Sequence, residues 1–270
     1  MMRHVKTLQR KFTLLLMAVL SLLVWGLAGH ASAAPIPAGW TCSGTCGSLS
    51  ADGVVTLSPT GNSTYQYVST DSGLLGVGGL PTGALGGEFN GSTLATSLFT
   101  ANAGDPLNFY FNYVTSDGAG FADYAWAALF DSSNNQVAGL FTARTLPSGT
   151  IVPGSDMPVP AATLTPPSVP IIGGEPVWLP LGGSSGQCFA SGCGYTGWIG
   201  STFSIATAGD YYLQIGAVNW TDNAFQSGLA MDGVTVGGQP IIPSVPEPST
   251  LLLLGSGLVG LVAWRRKYAA

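Results

Sequence analysis

Positive charge is scarce in this chain outside its two ends. Four of the eight Lys and Arg residues precede position 12 and three follow position 264, which leaves Arg144 alone between them. Twelve acidic residues lie between Asp52 and Asp232, so this central part carries a formal charge near −11. A nucleic-acid-binding surface needs several cations to displace counterions from phosphates. The composition therefore excludes nucleic acid as a partner and disfavours anionic membrane surfaces and phosphate-bearing ligands.

Histidine is almost absent as well. His4 and His30 both lie in an N-terminal segment that we expect to be removed. Without histidine or lysine, the central part cannot form a Ser-His-Asp triad, a Cys-His pair, a histidine-containing zinc site or a Schiff base. We therefore predict no catalytic residues and no enzymatic activity. Glycoside hydrolysis needs only two carboxyl groups, so a glycan-processing enzyme stays open as an alternative, with the candidates Glu88, Asp117, Asp123, Asp222 and Asp232.

The N-terminal segment has the three parts of a secretory signal peptide. A basic stretch up to Lys11 is followed by an apolar run over residues 12–27 and by Ala31-Ser32-Ala33, the small residues that signal peptidase requires. We expect a signal helix in residues 1–33 and cleavage after Ala33, so that the mature chain begins at Ala34. An uncleaved membrane anchor is the alternative.

The C-terminal end also has three parts. Val245-Pro246-Glu247-Pro248 is held extended by its prolines, an apolar helix is expected over residues 250–264, and the basic cluster Arg265-Arg266-Lys267 follows. The cluster should stop translocation on the cytoplasmic side. The helix spans roughly 15 residues, short of the ~20 of a lasting span, which indicates transient membrane insertion.

Residues 245–267 resemble the PEP-CTERM sorting signal of exported Gram-negative proteins. The resemblance implies recognition by an exosortase, export through the inner membrane, and a final position at the cell surface or in the extracellular matrix. It concerns delivery only, and it leaves the role of the domain in residues 34–244 open.

That domain shows the alternation of β-strands. Leu107, Phe109, Phe111 and Tyr113 alternate with polar or exposed positions, and residues 211–217 repeat the pattern. Further strands are predicted over residues 54–57, 65–68, 94–99, 124–130, 136–141, 202–206 and 233–236. Many short strands joined by glycine-rich turns predict an all-β, antiparallel β-sandwich that is jelly-roll-like. Residues 208–215 and 228–236 together resemble the closing strand pair of exported jelly rolls.

The segment from Pro147 to Pro180 interrupts this rhythm, because it holds nine of the chain's eighteen prolines. Proline lacks the donor that a central strand needs. We predict a long Pro-rich surface insertion with polyproline character over residues 147–180. A linker between two small domains is the alternative.

The four cysteines form two close pairs, Cys42 with Cys46 and Cys188 with Cys193. Export places them in an oxidising compartment, where disulfides are the default. Pairing of sequence neighbours is the simplest of the three connectivities. A four-cysteine zinc site is the alternative, although neither spacing is the usual one.

Candidate ligand-binding residues lie in two short stretches. Asp117 and Asp123 flank a glycine-containing turn and are possible calcium ligands, but we expect solvated turn acids, and no cofactor is predicted. Trp220, with Asn219 and Asp222, is a possible glycan contact in a polar loop, whereas the other tryptophans are expected to pack in the core or to anchor loops in half-buried positions. The sequence thus favours a structural or adhesive exported protein whose partners are signal peptidase, an exosortase and extracellular polysaccharide. A calcium-dependent adhesion module stays open as a further alternative.

Overall fold

A computed structural model describes residues 34–83 and 85–241. These residues form an all-β structure with one short 3-10 helix. No helix among them is long and apolar enough to cross a membrane. The predicted signal peptide, the Pro-Glu-Pro box, the apolar helix of residues 250–264 and the basic cluster that follows it fall outside the described residues.

The described part contains eighteen strands, most of them short. In chain order they are β1 Thr41–Ser43, β2 Thr45–Leu49, β3 Tyr65–Ser69, β4 Leu74–Leu75, β5 Glu88–Ala95, β6 Phe99–Ala101, β7 Pro106–Thr115, β8 Tyr124–Asp131, β9 Gln136–Arg144, β10 Thr150–Val152, β11 Thr163–Thr165, β12 Val169–Pro170, β13 Ile172–Gly173, β14 Gly194–Tyr195, β15 Ile199–Ser204, β16 Gly209–Trp220, β17 Ser227–Val236 and β18 Gln239–Pro240. The 3-10 helix, Leu179–Ser184, lies between β13 and β14.

Two antiparallel sheets hold most of these strands. The front sheet has the order β11-β15-β7-β17-β3-β2, with β13, β14 and β18 added at its margins. The back sheet has the order β1-β5-β16-β8-β9, with β4 and β6 beside β5 and β16. Strands β10 and β12 form a separate two-stranded ribbon. Strands distant in sequence are therefore neighbours in both sheets.

The core lies between the two sheets and follows the predicted alternation. Phe109, Phe111 and other odd-numbered residues of β7 pack against Leu213 and Ile215 of β16 within one buried cluster. The Phe111 ring stacks on Phe141 of β9 at 3.8 Å between centroids. The prediction of an all-β, antiparallel sandwich is confirmed.

The Pro-rich segment is more ordered than the sequence predicts. It contributes four strands, of which β11 pairs with β15 at an edge of the front sheet and β13 pairs with β14. Ile151, Leu164 and Trp178 of this segment are buried. Pro153 and Pro166 directly follow β10 and β11, and Pro170 ends β12, positions where a missing donor costs little. The prediction of a surface excursion with polyproline character is therefore wrong in its local structure.

One predicted strand is absent. Residues 54–57 form a turn with a single bridge between Asp52 and Val55. Val55 is nonetheless fully buried, beneath Trp178 and Tyr65 on the outer face of the front sheet. The apolar side chain of Val55 correctly indicates burial. The pattern of apolar residues alone, however, does not distinguish a strand from a buried turn.

Two disulfides join sequence neighbours, Cys42 with Cys46 and Cys188 with Cys193, and no free cysteine remains in the described residues. The first bond links β1 of the back sheet to β2 of the front sheet, so it joins the two layers at one edge. The second closes the loop before β14. The predicted pairing is confirmed, and the four-cysteine zinc site is wrong.

Candidate functional site at the loop end

The apolar core gives way to polar side chains at one end of the sandwich. In the front sheet, Ser227 lies opposite Thr115 and is bonded to Thr70. In the back sheet, Val218 lies opposite Tyr124, so the next pair across the strands is Asn219 and Asp123. We call these buried, core-facing groups the polar layer: Thr70, Asn90, Thr115, Asp117, Asp123, Thr145, Asn219 and Ser227.

Asp123 joins the two sheets through its carboxylate. One oxygen, Oδ1, accepts a hydrogen bond from the backbone N–H of Trp220 at 2.8 Å. The other, Oδ2, accepts from the Ser227 hydroxyl at 2.7 Å, and Ser227 also lies 2.7 Å from Thr115 Oγ1. Burial raises the pKa of Asp123 well above its usual value, and the nearby Asp117 carboxylate raises it further.

Asp117 is held differently. Its Oδ1 accepts a hydrogen bond from the N–H of Gly118 at 2.7 Å, while its buried Oδ2 has no hydrogen-bond partner. Burial raises the pKa of Asp117 to about 7, against the lowering effect of the Gly118 bond, and Asp222 contributes to the rise. The expectation that Asp117 and Asp123 are solvated turn acids is wrong, because their exposed fractions are 1% and 0%. The alternation of β7 and β8 carries both side chains inward.

Three loops cover the polar layer and are bonded to one another. They are the β7–β8 loop (residues 116–123), the disulfide loop (185–193) and the β16–β17 loop (221–226). The N–H of Phe189 donates to the carbonyl of Ser116 at 3.0 Å, and the N–H of Ser116 donates to the carbonyl of Gln226 at 3.1 Å. The β7–β8 loop is thereby fixed between the other two.

Each loop contributes one phenylalanine to an aromatic cluster. Phe189 is 48% exposed, and its ring centroid lies 5.4 Å from that of Phe121 and 5.0 Å from that of Phe225. Phe225 and Thr221 both have positive φ angles, of 53° and 75°. Bulky and β-branched residues rarely adopt this region, and such strain is concentrated at functional sites.

The residues predicted to contact glycan lie around this end at different depths. Asn219 and Trp220 complete β16, so only Asp222 lies in the loop itself. Asn219 is fully buried, and its amide Nδ2 donates to Asn90 and to Gln226 at 3.0 Å each. Asp222 is partly exposed, and its Oδ1 accepts from the N–H of Ala224.

Trp220 lies on the outer face of the back sheet. Its indole N–H donates to the carbonyl of Gly86 at 2.6 Å. The guanidinium carbon of Arg144 lies 5.0 Å from the ring centroid, and an Arg144 nitrogen lies 3.6 Å from an Asp156 carboxylate oxygen. Arg144 is the only Lys or Arg in the described residues, and it neutralises none of the polar layer directly.

The two other glycosidase candidates lie elsewhere. Glu88 lines an open groove of about 540 Å³ on the back-sheet side, formed mainly by residues 76–80. Burial opposes its ionisation, but hydrogen bonds from the Tyr124 hydroxyl and from backbone amides outweigh that effect and lower the pKa of Glu88. Asp232 accepts from Ser58, Thr60 and Asn62, so it organises a loop that precedes β3.

The aromatic cluster is a feature that the sequence did not indicate, because its three members lie in separate loops. Only the strand register brings these loops together. No three acidic, histidine or cysteine side chains converge closely enough to hold a metal ion among residues 34–83 and 85–241. A cation at this end would need amide or hydroxyl ligands as well as the carboxylates.

Comparisons with known proteins give structures of low similarity and one sequence motif. Two adhesin domains of Lys-gingipain from Porphyromonas gingivalis W83 are similar in structure. The K1 cleaved adhesin domain has 13% identity and a TM-score of 0.35, covering 77% of this chain and 98% of that one. The K3 domain has 13% identity and a TM-score of 0.36, covering 74% and 92%.

The enzymatically active domain of bacteriophage CBA120 tailspike protein 4 is similar at 12% identity and a TM-score of 0.32, over 74% of this chain and 19% of the tailspike chain. Similarities at these TM-scores carry no functional information. No curated protein matches the chain.

Residues 244–267 match the family model of the PEP-CTERM protein-sorting motif. The match includes the Pro-Glu-Pro box, the apolar stretch and the basic cluster on which the sequence-based expectation rests. This chain therefore carries a PEP-CTERM sorting motif at its C-terminal end, which makes it an exosortase-sorted protein exported to the cell envelope.

Proposed function

We propose that the protein is a structural or adhesive component of the outer surface or extracellular matrix that binds exopolysaccharide through its loop end. The observation that carries the proposal is the aromatic cluster of the exposed Phe189 and the half-buried Phe121 and Phe225, with the partly exposed Asp222 in the same loop as Phe225. Aromatic faces pack against the C–H faces of sugar rings, and carboxylate and amide groups bond sugar hydroxyls. Neither interaction requires the cations that this domain lacks.

A jelly-roll topology is part of the proposal. The eight principal strands, in chain order β3, β5, β7, β8, β9, β15, β16 and β17, pair first with last, second with seventh, third with sixth and fourth with fifth. A long antiparallel hairpin that is rolled into two sheets gives this pairing. Such a roll gathers the loops at its two ends, which supports a binding site at the loop end.

Glycan-array binding with matched variants tests the binding site. We expect Phe189→Ala to weaken glycan binding at least tenfold, because it removes the most exposed ring of the cluster. Val159→Ala is the control, since Val159 is 86% exposed in the Pro-rich segment. Equal binding by both variants, or no binding by the unmodified protein, would refute a glycan site at the loop end.

A glycan-processing enzyme is the second candidate. The raised pKa of Asp117 beside Asp222 is the observation that favours it, since a retained proton and a nearby carboxylate are the requirements of glycoside hydrolysis. The burial of Asp117 opposes direct contact with a substrate. Release of shorter glycans from bound polysaccharide, abolished by Asp222→Asn, would support this candidate over simple adhesion.

A further inference from the structure

The polar layer contains two buried acceptor oxygens that nothing in the described structure satisfies. Asp117 Oδ2 and Asn219 Oδ1 are each without a hydrogen-bond partner. Their residues are 1% and 0% exposed, so bulk water does not compensate. A buried acceptor without a donor is unfavourable, because it has lost its hydrogen bonds to water and gained none in return. Both lie at the end of the sandwich where Asp123 is also buried.

The strand register places Asn219 beside Asp123. Asn219 lies on β16 between Asn90 on one neighbouring strand and Asp123 on the other. Its Nδ2 donates to Asn90 and Gln226, which fixes the orientation of the amide. The Oδ1 atom of the same amide takes no part in these bonds and stays buried without a partner, on a residue whose neighbour across the sheet is Asp123.

The charge at this position also lacks a counterion. Asp117 and Asp123 lie in the same short loop between β7 and β8, and both side chains are buried in the polar layer. Arg144, the only Lys or Arg in the described residues, is engaged on the outer face with Trp220 and Asp156. Buried carboxylates without a cation are strongly unfavourable. Either protons or a bound cation must neutralise them.

We propose that a calcium ion binds in the polar layer, coordinated by Asp117 Oδ2, Asn219 Oδ1 and the carboxylate of Asp123. The donors are all hard oxygen atoms, which suit Ca²⁺, and no nitrogen or sulfur ligand that would favour zinc belongs to the layer. Waters and backbone carbonyls would complete the coordination, since the acidic groups alone are too few. Ca²⁺ tolerates such irregular sets better than Mg²⁺ does.

The ion would connect the loops of the site. Asp117 is the second residue of the β7–β8 loop, Asp123 is its last, and Asn219 lies two residues before the β16–β17 loop. Binding would therefore fix the positions of Phe121 and Phe225 relative to each other. This inference does not depend on glycan binding, because the metal site can be tested without any sugar.

Calcium titration of the full-length chain tests the site. The chain is purified in mild detergent, freed of metal with a chelator and titrated with Ca²⁺ or Mg²⁺. The heat of binding is measured by calorimetry, and the unfolding midpoint is measured by thermal denaturation. Extracellular calcium modules have dissociation constants of about 10⁻⁴–10⁻³ M. We expect one Ca²⁺ per chain within this range or tighter, a rise in the unfolding midpoint, and a smaller response to Mg²⁺.

Asp117→Asn is the decisive variant. It is isosteric, it keeps an oxygen for the Gly118 N–H, and it removes the negative charge and the free Oδ2. We expect calcium affinity to fall at least tenfold while the metal-free variant unfolds at the same temperature as the wild type or higher. Glu175→Gln is the matched control, since it removes one charge at an exposed position, and it should leave binding unchanged.

Three outcomes would overturn the proposal. One is no response of the wild type to Ca²⁺ up to about 10 mM, tenfold above the weakest affinities of this class, which would mean that protons neutralise the layer. Another is equal binding by Asp117→Asn and the wild type, which would place the ion elsewhere. The third is an equal response to Mg²⁺, which would contradict the choice of calcium.

Discussion

Trp178 packs the Pro-rich segment against the front sheet and donates a buried hydrogen bond to Tyr65 of β3. Removing the Tyr65 hydroxyl should therefore lower the free energy of unfolding. The indole N–H donates to the hydroxyl of Tyr65 at 2.9 Å, and both side chains are fully buried. Tyr65→Phe leaves this N–H without an acceptor and without access to water. The expected loss in the free energy of unfolding is about 1–3 kcal/mol.

Tyr67→Phe is a matched control two residues further along the same strand. Tyr67 is also buried, and its ring meets Trp178 edge-on with centroids 6.0 Å apart. Its hydroxyl makes no hydrogen bond within the described residues, so the same change should cost less than about 0.5 kcal/mol. In a Trp178→Phe background the cost of Tyr65→Phe should also fall, because the donor is absent.

Equilibrium denaturation followed by tryptophan fluorescence, with thermal unfolding as a second measurement, separates these variants. One kcal/mol corresponds to about 2–4 °C in the midpoint for a domain of this size. Equal stabilities of Tyr65→Phe and Tyr67→Phe would refute the buried hydrogen bond. A full cost of Tyr65→Phe in the Trp178→Phe background would show that Tyr65 stabilises the sheet by other contacts.

Three further predictions concern packing, redox state and processing. Gly228→Ala should cost about 1–3 kcal/mol in unfolding experiments, because the added Cβ would lie 2.7 Å from both Trp178 and the Val68 carbonyl oxygen. Thiol labelling of the denatured exported protein should detect no free cysteine, and any stoichiometric labelling would contradict the two disulfides. Glu247→Ala should keep the protein membrane-held and uncleaved in a host with an exosortase; arrival at the surface at wild-type length would contradict sorting through the Pro-Glu-Pro box.

The strands that the sequence predicted well are those with one face in the core between the sheets. In β7 and β16 the apolar residues repeat at every second position over at least seven residues. This alternation is long enough to predict which face of each strand is buried. Strands β10 to β13 have two or three residues each, too few to show a period. Strands β10 and β12 pair with each other, while β11 pairs with β15 and β13 with β14, so their partners lie well outside any local sequence pattern.

The tryptophans show that residue type can predict burial without predicting where in the fold the residue lies. The expectation of core packing holds for Trp40, Trp126 and Trp178, which are all buried. Trp178 nevertheless lies outside the central core, on the outer face of the front sheet with Tyr65 and Leu181. Its aromatic character predicted burial, but only the fold determines which face of which sheet supplies it.

The polar layer could have been found by extending the alternation past the last apolar residue. Counting on from Tyr113 reaches Thr115 and Asp117, and counting on from Ala217 reaches Asn219, all with the same inward direction as the core. Glycine beside Asp117 suggested a solvated turn instead. A fold does not need buried acids at this position for its stability, since they raise its free energy unless they are neutralised. Their presence beneath three connected loops, one of which holds two strained residues, is what the proposed calcium site would explain.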